Sequence, residues 1–339
     1  MRACARACAT TTTTTTTRRA RRGTSTRASP PPATTTTATT ATTATMRTRD
    51  DDAPSRARAT PFVVVLSPAK ALDERASTDA RDDARETRPR FVERARAIAR
   101  RARELKVGDL KTLMGVSDAI AKLNVERFGN FEEATTKACA LAFDGPAFKH
   151  LKAATLKTDE EKAYLQRHLR ILSGLYGCLR PYDAIAPYRL EMGTKWAPNS
   201  SSKDLYAYWG EDIALAILDD LDEQAAANGA EASATPFVVN CASQEYWKSV
   251  KRDTLTKRGV DVYTMTFPGP AVYAKQARGA MVRHCVDARV SSPDDLKTFT
   301  GTDGCWTFDA ASSSEFNFVF ARGSAKSGDT KPAKKAKKV

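Results

Sequence analysis

Phe62-Val63-Val64-Val65-Leu66, running straight into Ser67-Pro68-Ala69-Lys70, decides how the rest of the chain is read. Consecutive apolar residues with no helical period describe a buried strand, and Pro68 denies Ser67 the helical backbone, so the strand stops there. Two more buried strands lie far downstream, at Pro236-Phe237-Val238-Val239-Asn240 and Val262–Phe267, and Phe316–Phe320 closes the series. Between them the apolar spacing turns helical. Phe91, Ala95, Ile98, Ala102 and Leu105 share one face of a helix beginning near Arg90. Further helices are predicted over Asp109–Met114, Ser117–Phe128, Ala134–Ala142, Asp159–Leu172, Lys203–Leu221 and Val272–Ala288. Asp73–Pro89, with ten charged residues and almost no large apolar ones, reads as a loop. Strands interspersed with helices give the fold class α/β in its mixed α+β form, a central sheet covered by helices.

The formal charge of +14 sits at the two ends. Residues 1–60 carry 11 arginines against 3 aspartates, and residues 321–339 carry 7 basic groups against Asp329. The body, residues 61–320, therefore balances 36 basic against 36 acidic side chains, and its size suits one large domain. A whole-chain pI near 9.5 thus says nothing about nucleic-acid binding by the body, which must rest on local geometry. The first 60 residues, rich in Ala, Thr and Arg and without an apolar core, are expected to be disordered and to act as an organelle transit peptide. Chloroplast stroma is the expected destination, with a mitochondrion, or cytoplasm after initiation at Met46, as alternatives. The lysine-rich end reads as a solvated, disordered tail.

Cys139, Cys178, Cys241, Cys285 and Cys305 are widely spaced with no CxxC pair, which favours reduced, buried thiols over a disulfide framework. His150, His168 and His284 make no metal spacing, and no metal or cofactor is expected. The chain lacks G-x-x-x-x-G-K-[ST] and G-x-S-x-G, which argues against a P-loop ATPase or a lipase-like hydrolase. No run approaches the length of a membrane span, so no membrane partner is expected.

Leu110, Leu113, Met114, Val116, Ile120, Ala121 and Leu123 bracket the short turn Met114-Gly115-Val116-Ser117, within a unit at about residues 109–126. Gly115 can take a backbone conformation closed to other residues, and Ser117 can cap the next helix. Such a turn exposes backbone N–H groups that hold a phosphate oxygen whatever the base sequence, with Lys111 and Lys122 adding charge. A turn that merely connects two packed helices explains the same residues, and Asp118 repels phosphate.

Other polar groups gather at strand ends. Lys70 follows the first strand, where open sheets place ligand contacts; it suits a phosphate or a nucleophilic amine, and equally an ordinary surface lysine. The Gly- and Tyr-rich section Leu172–Asp183 continues into Pro187–Gly193 and carries Arg180 and Arg189, planar forks suited to carboxylate or phosphate. Internal pairing with Asp183 and Glu191 explains them as well. Around the second buried strand stand Asn240, Ser243, Glu245, Tyr246 and Lys248, where Asn240–Ser243 suits a helix cap and Glu245 or Tyr246 a proton exchange. Lys275 and Arg278, three apart on the late helix, project together, and Ala274, Ala277, Gly279 and Ala280 permit a close backbone approach. Together these groups describe a cationic cleft at sheet ends formed by Lys70, Arg180, Arg189, Lys248, Lys275 and Arg278. Lys70, Glu245 and Tyr246 are the candidate catalytic groups, with enzymatic activity left open.

Six blocks carry a resemblance: Ser67–Asp73, Leu172–Gly177, Arg180-Pro181, Pro187–Gly193, Glu245–Val250 and Tyr273–Gly279. In order and content they resemble the signature blocks of the peroxide stress protein YaaA family. The resemblance implies a mixed α/β fold with a helix-hairpin-helix element and a positively charged cleft, double-stranded or branched DNA as partner, and a role in limiting free iron and oxidative damage under peroxide. The hairpin carries over as Met114, Gly115, Val116, Ser117 and Lys122, with Met114 and Ser117 departing from the usual Pro and second Gly. No ferritin-like pair of Glu-x-x-His helices is present, so iron control is expected to be indirect. A phosphate-bearing small ligand or substrate is the alternative occupant of the cleft.

Overall fold

The computed structural model describes residues 60–75, 85–228 and 235–323, all within one compact unit, Ser55–Val339. The expected transit peptide, the lysine-rich tail and the middle of the Asp73–Pro89 loop lie outside the described residues. The first strand, β1 (Phe62–Leu66), is followed by helices α1 (Val92–Ala102), α2 (Val107–Met114) and α3 (Asp118–Gly129). Then come β2 (Lys137–Ala138), α4 (Cys139–Ala142), α5 (Pro146–Leu151), α6 (Asp159–His168), β3 (Leu169–Ser173), β4 (Gly177–Leu179) and β5 (Ala184–Ile185). The second half contains α7 (Leu205–Trp209), α8 (Asp212–Asn228), β6 (Phe237–Cys241), α9 (Gln244–Trp247), α10 (Arg252–Thr256), β7 (Asp261–Thr266), α11 (Ala271–Asp287), β8 (Trp306–Phe308) and β9 (Asn317–Arg322).

Seven strands form the main sheet in the order β4-β3-β1-β6-β7-β9-β8. The five inner strands run parallel, and β4 and β8 close the edges as antiparallel partners of β3 and β9. A parallel sheet covered on both faces needs strands apolar on both faces, which is what FVVVL and FVV supply. All five residues of β1 are at most 1% exposed, with Phe62 opposite Phe237 and Val64 opposite Leu169. The chain goes from β1 to β3 on one side and later to β6 on the other, so the sheet reverses its direction of growth between β1 and β6. In open α/β sheets such a reversal leaves a crevice at the carboxyl ends of the strands.

Three predicted helices differ from what forms. Asp159–Leu172 stops being helical at His168, because Leu169–Ser173 is taken into the sheet beside β1 and buried along its whole length. Ala134–Ala142 is helical only over Cys139–Ala142, since Lys137 and Ala138 pair antiparallel with Ile185 and Ala184. Lys203–Leu221 breaks into α7 and α8 at Gly210, whose φ of +52° ends the first helix. The Gly- and Tyr-rich middle section forms the β3–β4 hairpin, an element its composition concealed.

His168 ties α6 to the sheet. Its Nδ1 lies 2.9 Å from the carbonyl oxygen of Phe62, and its ring stacks on the Phe62 ring at 4.2 Å. Burial pushes its pKa down to about 4 from an ordinary 6.5. The fold thus holds the imidazole neutral, and the unfolded chain takes up the proton first as pH falls. This stability is fully present above pH 6.5 and is lost toward pH 4, a difference of roughly 3 kcal/mol. Urea midpoints should fall over that window, and His168→Gln should flatten this part of the profile; an unchanged profile would show the imidazole to be protonated in the fold.

Candidate functional site

The crevice between β1 and β6 is a cleft of about 470 Å³. Ser67–Ala71 leaving β1 and Cys241, Ser243, Glu245 and Tyr246 leaving β6 form two walls. Asp144–Phe148 at the start of α5, Tyr188–Glu191, and Lys275 and Arg278 of α11 complete it. The β1 and β6 loops are fastened to each other. Ser243 donates its backbone N–H to Ser67 Oγ at 2.8 Å, and Asn240 Oδ1 accepts from the Ala242 N–H at 3.0 Å. The cap expected from Asn240–Ser243 is therefore replaced by a tie across the crevice, and Ser243 makes no side-chain cap to α9.

Four of the six predicted cleft cations meet here: Lys70, Arg189, Lys275 and Arg278. Glu191 answers two of them, with Lys70 Nζ at 2.9 Å and an Arg189 terminal nitrogen at 3.1 Å. The Lys70 side chain is 64% exposed, so its pair is worth at most about 1 kcal/mol, and an incoming anion displaces it at little cost. Lys275 and Arg278 have no carboxylate partner among the described residues. Arg278 is half-buried, burial pulls its guanidinium pKa down, and its Nε is enclosed without a hydrogen-bond acceptor. The Nε of Arg189 is orphaned in the same way. A buried, unanswered charged donor costs about 1–3 kcal/mol or more, so these two guanidinium groups are left short of partners within the protein.

The other two cations lie elsewhere. Arg180 lines a separate depression with Thr87, Gln166, Arg170 and Asp220, and only its backbone N–H reaches Asp183, at 2.8 Å. Strand β4 pairs with β3 at the far side from β6, which carries Arg180 away from the crevice. Lys248 follows α9 and sets its ammonium over the Tyr206 ring at 4.9 Å, outside the cleft lining.

The candidate catalytic groups Lys70, Glu245 and Tyr246 all line the cleft. Glu245 Oε1 accepts the Gly193 N–H at 3.0 Å. The Tyr246 hydroxyl is buried, which pushes its pKa well up. Tyr246 is thereby a neutral wall, while Lys70 and Glu245 bring charged groups to the cleft. Cys241 also lines the cleft, and burial pushes its thiol up to about 12, so it stands as an apolar neutral group. Among the described residues, no three His, Cys, Asp or Glu side chains gather to hold a metal ion, and no helix is long and apolar enough to cross a membrane. The α5 wall went unanticipated; its signal was Gly145-Pro146, a proline at the first turn of a helix.

The small residues of α11 have a partner. A Cβ on Gly279 would lie 1.8 Å from the backbone oxygen of Ala147, so α5 and α11 touch backbone to backbone. That contact brings Lys275 and Arg278 up to the α5 wall.

The hairpin forms through α2 and α3. Gly115 takes φ +58° at the end of α2, its N–H and that of Val116 both returning to the Lys111 oxygen. Ser117 caps α3 by accepting the Ile120 N–H at 3.4 Å. Met114 is partly buried and Val116 and Ala121 are buried, so these side chains pack and only their backbone is available to a ligand. The exposed N–H groups of Ser117, Asp118 and Ala119 have no acceptor among the described residues. Lys111 pairs with Asp118 at 2.9 Å, a contact that lowers the Asp118 pKa, and Lys122 stays exposed. None of these residues lines the cleft. A groove running from Leu123 and Arg127 of α3 to Leu72–Arg75 and Pro187 carries Asp73, Glu74, Glu126 and Glu133 against Arg75, Arg127 and Lys137. The hairpin and the cleft are thus two local sites, not one continuous basic surface.

A family model described as "Peroxide stress protein YaaA" matches residues 62–312. The chain belongs to the YaaA family. A UPF0246 protein of Burkholderia mallei (strain SAVP1) is 41% identical over 270 residues, covering 77% of this chain and 98% of the relative. UPF0246 proteins of Burkholderia pseudomallei (strain K96243) and Burkholderia thailandensis (strain ATCC 700388) match with the same identity and coverage. The matched residues of the YaaA model span six of the seven strands of the sheet, β9 excepted, with the hairpin and the cleft, and leave both charged tails outside.

Proposed function

We propose that this YaaA-family chain serves the peroxide-stress response by binding double-stranded or branched DNA, with the α2–α3 hairpin holding the phosphate backbone. The observation that carries this is the left-handed Gly115 feeding the Ser117-capped start of α3, with exposed N–H groups left unanswered beside Lys122. Iron limitation enters as a consequence of protecting or regulating DNA. The arginine-rich composition of residues 1–60 supports a destination in the plastid stroma over a mitochondrion or the cytoplasm, which a fluorescent fusion of residues 1–60 tests directly.

A body of residues 61–320, free of both tails, is expected to bind duplex or branched DNA with an affinity that falls with salt. Gly115→Val forces a β-branched residue into a positive-φ position and should weaken binding about tenfold while the body stays folded by circular dichroism. No binding to either DNA form at low salt would remove the proposal. A second reading, an enzyme acting on a phosphate-bearing or nucleic-acid substrate, is favoured by Lys70 and Glu245 facing one cleft.

A further inference from the structure

The cleft holds more positive charge than the protein itself answers. A guanidinium stays protonated at any working pH, so one at a cavity wall without a carboxylate partner can meet an external anion through its outer N–H groups. Two arginines, Arg189 and Arg278, come from separate parts of the chain and line one cavity, and the Nε of each is enclosed without an acceptor. Glu191 already serves Arg189 and Lys70, which leaves Arg278 and Lys275 as the unanswered pair, suited to a doubly charged phosphate.

Size and wall chemistry say what else comes with the anion. About 470 Å³ is far more than a bare phosphate fills and lies within the range of small-molecule sites. Phe148, Tyr188 and Leu190 give part of the lining an apolar and aromatic face on which a flat ring can rest. Glu245 adds an acceptor. One of its oxygens is held by the Gly193 N–H, and the other receives no hydrogen bond from the described residues. A carboxylate lining such a cavity suits an exocyclic amine, as on cytosine, guanine or adenine.

We propose that the cleft seats a single nucleotide unit, with its phosphate on Arg278 and Lys275 and an amino-bearing base against Glu245. This goes beyond the DNA proposal, because a nucleotide seat stands whether or not the hairpin grips a duplex. The unit has two sources, a free nucleotide or a nucleotide turned out of a DNA strand, and the chemistry that recognises it is the same.

Titration calorimetry on the full chain tests it with dCMP, dTMP, deoxycytidine and inorganic phosphate as probes. We expect dCMP to bind at least about tenfold tighter than each of the other three. Arg278→Gln should weaken dCMP at least tenfold. Glu245→Gln, which keeps an acceptor for Gly193, should erase the preference for dCMP over dTMP while leaving phosphate binding unchanged. Lys122→Ala, on the hairpin, should alter none of these values. Phosphate binding as tightly as dCMP, no dCMP binding by the folded chain, or full dCMP affinity in both cleft variants would each overturn the proposal.

Duplex DNA carrying 2-aminopurine separates the sources. A fluorescence rise on binding that Arg278→Gln abolishes supports a turned-out base; no rise, with dCMP binding intact, supports a free nucleotide. Gly115→Val distinguishes the two proposals, since it should weaken duplex binding and leave dCMP untouched. Loss of all duplex binding with dCMP retained removes the DNA proposal alone.

Discussion

Gly279→Ala is expected to destabilise the protein by about 3 kcal/mol or more, lowering Tm by roughly 6–12 °C. The added Cβ would stand 1.8 Å from the Ala147 backbone oxygen, and a backbone atom in a packed helix cannot turn aside as a side-chain tip can. The helix propensity of alanine returns only about 1 kcal/mol, so the clash decides the sign. Relief requires α11 to move away from α5, and Arg278 lies one residue before the point of contact. The same variant should therefore weaken anion binding in the cleft. Gly108→Ala is the matching control: a Cβ there meets nothing within 4 Å, so stability should hold or rise slightly. Equal melting of Gly279→Ala and wild type in a thermal scan would show that the two helices part without cost.

Asp220→Ala should cost about 3–5 kcal/mol. Its carboxylate is 3% exposed and receives Arg170 Nε at 2.5 Å and an Arg90 terminal nitrogen at 2.8 Å. Arg170, itself 4% exposed on β3, also donates to the backbone oxygens of Gln166 and Leu169. Removing the acid leaves one enclosed guanidinium without its counter-charge, whereas removing both partners would leave none. Urea unfolding of Asp220→Ala, compared with the Asp220→Ala/Arg170→Met double variant, measures this. The double variant should recover part of the loss, and a single variant that unfolds at the wild-type midpoint would show water reaching Arg170.

The parts of this molecule that act over a few residues were legible. FVVVL at 62–66 and FVV at 237–239 are apolar on both faces and could stand only inside a covered sheet. The turn at Gly115 and the cap at Ser117 depend on residues within four positions of themselves, and they form as their chemistry dictates. Leu169–Ser173 was a different matter. Its residues continue the helical spacing of α6, and only the open side of β1 makes a strand the better way to bury all five.

The cleft divides along the same line. Residue types suited to an anion were visible at Lys70, Arg189, Lys275 and Arg278, and equally at Arg180 and Lys248, which lie elsewhere. Composition and local spacing settled the strands at Phe62–Leu66 and Phe237–Cys241, the cap at Ser117 and how the Gly115 turn bends. Bringing β6 beside β1, pressing α11 onto α5 at Gly279 and Ala147, and leaving two arginine Nε atoms unanswered in one crevice belonged to the tertiary structure. The reason is physical: strand order and helix docking are set by burying many apolar surfaces at once, and no short stretch of chain holds the information about which distant surface will meet it.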